Sequence, residues 1–157
     1  MQFKIHQRKS DKNNTEIYKK AVEFFVGELL PKSKRDKLKL TIIIKNFKTK
    51  EKTQMGYCSQ LSRNSYKVEI NKRQPFHSII SSIAHEIIHV KQGVIGKLTN
   101  KDEGFVWQGK MYKNVDIGEH NVYINTPWEL EAYKLEPQLT EKFFKQVVIQ
   151  EVRTLNE

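Results

Sequence analysis

Residues 85–89 read His85-Glu86-Ile87-Ile88-His89, and no other run constrains the fold as much. Two side chains four apart on an α-helix lie one above the other on the same face. The pattern therefore has meaning only if the segment is helical, and the flanking residues supply the helix. Pro75 suits a first-turn position. At ~100° per residue, Phe76, Ile79, Ile80, Ile83, Ile87 and Val90 form one apolar face. His85 and His89 fall on the opposite side. The spacing predicts a helix from Phe76 to about Gln92, stopped by Gly93, with isoleucines packed inward and histidines shown to a cleft.

Paired imidazoles at this spacing can meet one metal ion, each nitrogen ~2.0–2.1 Å from zinc. Glu86, next to the first histidine, would lie beside an open coordination position. There it can take a proton from water and deliver it to a leaving group. The bland alternative is a surface helix with two solvated histidines, and the facing of the isoleucines argues against it. A catalytic zinc usually has three protein ligands. Among the remaining histidines, His6 lies in the polar start and His77 points elsewhere, about two turns before His85. His120, in a loop, stays a possible ligand. Val90 to Ile95 hold no further histidine, so a carboxylate is favoured. The segment Pro127-Trp128-Glu129-Leu130-Glu131-Ala132-Tyr133 offers two. Glu129 and Glu131 point roughly 200° apart on a helix, so only one can face the metal. Thr126-Pro127-Trp128-Glu129 also fits a capping box, which would occupy Glu129 and leave Glu131 as the ligand.

The remaining elements are ordinary. Thr15–Leu30 reads as a helix ended by Pro31, and Leu38–Phe47 as a β-branched strand. Met55–Leu61 and Ser65–Ile70 read as two strands about a Ser62-Arg63-Asn64 turn. Phe105–Val115 reads as a short hairpin or flap, and Gly118–Asn125 as a loop or short strand. A helix from Pro127 to about Glu136 is expected to break at Pro137, with a last amphipathic helix over Thr140–Thr154. The chain's 157 residues suit one α+β domain over 1–157. Trp107 and Trp128 read as core or cleft wall, and Cys58 as a small buried side chain.

One cysteine excludes an intrachain disulfide and any zinc finger with two or more cysteine ligands. A reducing compartment fits that usage. The first 14 residues carry no apolar signal core, and the longest apolar runs are far below the ~18 residues a membrane span needs. A cytoplasmic protein without a membrane partner is expected. Lys and Arg number 28 against 18 Asp and Glu, a formal charge of +10. The basic runs Lys32–Lys39 and Lys45–Lys52 could contact phosphates, though they match no nucleic-acid motif and solvated lysines on outward faces are the ordinary reading.

An HExxH helix followed by a helix bearing Glu-x-x-Ala resembles the gluzincin class of zinc metallopeptidases. In that pattern the ligand Glu precedes a small residue by three, which selects Glu129 with Ala132. Ile88-His89-Val90-Lys91-Gln92 and the Pro-Trp-Glu-x-Glu-Ala-Tyr segment are also similar to small phage and bacterial SprT-like or minigluzincin-like proteins. The likeness covers residues 76–136. It departs from true SprT proteins, which use a third histidine and a cysteine-rich ribbon, so a DNA-repair role is not implied. The resemblance implies a zincin-like fold, a small twisted sheet packed on the HExxH helix with a C-terminal ligand-bearing helix. It implies Zn2+ at His85, His89 and Glu129 (Glu131 the runner-up), with Glu86 as general base, and a host-cytoplasmic setting if phage-encoded. It also implies a peptide or protein substrate, aligned by backbone pairing along an edge strand; Ser65–Ile70 is the expected edge. Tyr133, Tyr123 and His120, close to the ligand helix in sequence, could donate to an oxyanion, with plain packing the ordinary role of each. Iron, manganese or nickel in place of zinc remains open. A different class of function is a basic nucleic-acid-associated or partner-binding protein whose metal site is structural or vestigial.

Overall fold

The computed structural model describes residues 1–7, 14–48, 54–113 and 120–149. The polar start contains a strand, β1 (Gln2–His6), with Phe3 and Ile5 turned inward and Gln2, Lys4 and His6 exposed. The helix α1 (Thr15–Leu29) follows and buries Ala21, Val22, Phe25 and Val26. The basic connector after Pro31 holds a one-turn helix, α2 (Lys32–Arg35). β2 (Lys39–Lys45) then lies parallel to β1, a pairing that needs a crossover such as the intervening helices supply. Leu40, Ile42 and Ile44 alternate into the core. This is the period-two signature of a strand with one wet face.

β3 (Gly56–Ser62) and β4 (Ser65–Asn71) form the expected hairpin. β4 also pairs parallel with β2, so the sheet order is β1-β2-β4-β3. The edge assignment made from sequence is thereby corrected. Ser65–Ile70 lies inside the sheet, hydrogen-bonded on both sides, with Tyr66, Val68 and Ile70 buried. The edge is β3.

The helix α3 (Phe76–Val94) packs with α1 on the inner face of the sheet. Ile79, Ile80, Ile83 and Ile87 are all buried, each contributing about 1.5–3 kcal/mol of burial. The helix does not stop at Gly93. The left-handed residue is Gly96, at φ 74°. Gly93 instead makes room for Tyr66, because a Cβ there would sit 2.5 Å from the Tyr66 hydroxyl oxygen.

The expected hairpin or flap is a three-stranded antiparallel meander of β5 (Leu98–Lys101), β6 (Gly104–Trp107) and β7 (Lys110–Lys113). Its aromatics surround Trp128, with the Phe105 and Tyr112 rings 5.0 and 5.5 Å away, centre to centre. Residues 120–123, expected as loop or strand, form the short helix α4 (His120–Tyr123). The helix α5 (Pro127–Phe143) then runs straight through Pro137 and ends in a π-helical turn, Phe144–Val148. The proline break is overridden by packing. Thr140 and Phe143 beyond it are buried, and the Phe143 ring lies 5.5 Å from both Phe24 and Phe25. The expected last helix is therefore the continuation of α5 as far as the described residues reach. Among those residues, no helix is long and apolar enough to cross a membrane.

Candidate metal centre

Two helices build the site. α3 carries His85, Glu86 and His89, and α5 lies against it with Glu129 in its first turn. No capping box forms at that first turn. The Thr126 backbone N–H and its hydroxyl both donate to the Tyr123 carbonyl, at 3.0 and 2.8 Å. Glu129 is therefore free to turn inward, and it is 2 % exposed. One carboxylate oxygen lies 3.1 Å from His85 Nε2 and the other 3.1 Å from His89 Nε2. The two Nε2 atoms are 3.2 Å apart. His85, His89 and Glu129 thus form a group that could hold a metal ion.

The spacing suits the chemistry of that donor set. Ligands at ~2.0–2.1 Å in a tetrahedral shell stand roughly 3.3 Å from one another. The outer nitrogens tell the same story. His85 Nδ1 donates to Glu136 at 3.0 Å, and His89 Nδ1 lies 2.8 Å from Gln92 Oε1. A ring nitrogen occupied on one side offers its lone pair on the other. Two such lone pairs and a carboxylate then face one point, an arrangement that only a positive charge at that point can stabilise. Burial works to lower the His85 imidazole, yet its bonds to Glu129 and Glu136 outweigh that and hold it up at about 10. Burial would raise Glu129, but the two imidazoles hold it well below the usual carboxylate range.

Glu86 is 5 % exposed. Burial pushes its carboxyl above the usual range, against the pull of His89 and His85. The edge strand β3 crosses directly over it: a Cβ on Gly56 would fall 2.6 Å from Glu86 Oε1. A side chain at position 56 would press on this carboxylate and force one of them to shift.

The runner-up ligand, Glu131, turns away from the histidines. It accepts from Gln92 Nε2 at 2.9 Å and from Lys97. Tyr123 is half-buried, its hydroxyl bonded to Glu129, and burial followed by that carboxylate's charge drives its phenol up. The half-exposed Tyr133 lies with its ring 4.9 Å from that of His85. The side chain of His120 falls outside the described ones. Cys58 is half-buried on β3, and burial and then Glu86 raise its thiol. Trp107 and Trp128 are buried, as expected.

Two participants escaped the sequence reading, Glu136 and Gln92. Glu136 lies seven residues after Glu129, two helical turns along the same face. Gln92 lies three after His89. Helical spacing from Glu129 and from His89 is the sequence signal that points to both. No family model, curated protein or solved structure matches the chain, so the site's own chemistry carries the functional reading.

Proposed function

We propose that the chain is a zinc-dependent metallopeptidase with a zincin-like, minigluzincin-type domain, akin to the small SprT-like proteins it resembles. The observation behind this reading is the convergence of His85, His89 and Glu129 within 3.2 Å of one another, beside a buried carboxyl poised above its usual range. A bound zinc ion would supply Lewis-acid polarisation of the scissile carbonyl and an acidified water. His85, His89 and Glu129 would hold the ion. Glu86 takes a proton from the attacking water and returns it to the amine as the C–N bond breaks. A raised carboxyl suits both halves of that transfer. Tyr123 and Tyr133 stand close enough to the ligands to donate to the developing oxyanion. The substrate is an extended peptide, and β3 is the strand on which it aligns. Among the described residues no strand pairs with its outer edge, and it lies over Glu86.

Metal content and hydrolysis test this together. Wild type is expected to purify with about one zinc per chain. Glu129→Ala loses it and Glu131→Ala keeps it. Glu86→Gln keeps zinc but cleaves unfolded casein ~10²–10⁴-fold more slowly. A wild type without affinity for zinc, or a Glu86→Gln variant as active as wild type, overturns the reading.

A second reading draws on the outer face of the sheet. Register places Lys4, Lys39, Lys45 and Lys67 on that face, with Glu69 their acidic neighbour. Such a face could take the phosphates of a nucleic acid. Single-strand binding that survives Glu86→Gln and weakens when Lys4 and Lys39 are reversed to Glu would favour this role.

A further inference from the structure

We infer that Gln92 is a positioning residue that fixes which nitrogen of His89 faces the metal, and that Glu131 acts through it. The inference deepens the proposed metal site and rests on that reading for its function.

Gln92 is fully buried on α3, one turn beyond His89. A carboxamide has one accepting and one donating end, and the two look alike in shape. Here the donating end is determined. Nε2 lies 3.0 Å from the Trp128 carbonyl and 2.9 Å from a Glu131 carboxylate oxygen. Both partners accept only. A flipped amide would set its oxygen against two acceptors, in a place water does not reach. The oxygen must therefore face His89, 2.8 Å from Nδ1. Nδ1 then carries a hydrogen, and the Nε2 lone pair is left pointing at His85 and Glu129.

This assigns work to the second glutamate of the Glu-Leu-Glu run. Glu131 receives Lys97 as well as Gln92, and the Lys97 ammonium lies 4.7 Å from the Trp107 ring centre. The order is Lys97 to Glu131 to Gln92 to His89. The Trp128 carbonyl belongs to the residue before Glu129, so the same carboxamide also sets the docking of the helix that brings the third ligand. A glutamate at position 92 would not serve, because it would face Glu131 and a carbonyl with no hydrogen to give.

The test compares wild type, Gln92→Met, Glu131→Leu and the double variant. Methionine keeps an unbranched chain of similar length and has no amide. Zinc affinity is read by chelator competition, the cobalt(II) spectrum reports the ligand field, and far-UV circular dichroism reports the fold. Gln92→Met is expected to weaken zinc ~10–100-fold with the fold retained. Glu131→Leu, at a residue nearer the surface, is expected to weaken it less and to add nothing in the Gln92→Met background. In metal-free wild type, nitrogen-15 spectra should show His89 with a hydrogen on Nδ1. A His89 ring protonated on Nε2 alone, or zinc affinity equal in all four proteins, overturns the inference. Failure of wild type to bind zinc while His89 keeps its Nδ1 hydrogen defeats the peptidase reading and leaves the Gln92 assignment standing.

Discussion

Among single residues, angle decided more than identity. Glu129 and Glu131 are the same side chain two positions apart, yet one meets both imidazoles and the other a lysine and an amide. The facing of His85, Glu86 and His89 was legible because it needs only a helix and its period. The choice of Glu129 was less so, because a capping box competed for it. That competitor vanishes once Tyr123 takes both donors of Thr126. Gln92 and Glu136 were hidden for a different reason: each acquires its role only when α5 docks on α3. Gly56 offers a test at this scale. Gly56→Ala places a methyl group 2.6 Å from Glu86 Oε1, closer than the two can sit without a shift. A displacement of about 1 Å can cost up to ~10²-fold in rate. Slower casein hydrolysis with zinc content unchanged is the expected outcome; equal rates would show that the carboxylate has room to move.

Elements that bury a wide apolar face announced themselves, and those defined by their neighbours did not. α1, α3, β2 and β4 carry enough branched and aromatic residues to be read alone. β1 and β5 are short and half polar, and only a pairing partner makes them strands. α5 was misjudged at Pro137, because a proline's local cost says nothing of the packing beyond it. Phe143 supplies that packing, so Phe143→Ala should lower unfolding free energy by about 3–5 kcal/mol in denaturant titrations. A loss below 1 kcal/mol would mean that the far half of α5 is held by something else.

For the molecule as a whole, the surplus of positive charge was visible from the composition and its placement was not. Strand register gathers four lysines on the wet face of the sheet, and Glu69 sits among them, bound by Lys45 and Lys67. Burial would raise the Glu69 carboxyl, but those two bonds hold it below its ordinary 4.5. A depressed carboxyl adds stability above its unfolded value, and that stability is lost as pH falls through the folded one. Wild type should therefore melt above Glu69→Gln at neutral pH, and the gap should close below about pH 4.5. A gap that stays constant down to strong acid would contradict the assignment.

The uninterrupted run of α5 ties the chemistry to the durability of the protein. One helix carries Glu129 near its beginning and Phe143 at its end, so an ion held between α5 and α3 would rivet the site to the aromatic interior. Anything that binds the native form alone raises its melting point in proportion to occupancy. On the proposed reading, the protein starved of metal by a chelator should melt earlier and fall sooner to an unrelated protease, so that its lifetime would gauge the supply of that ion.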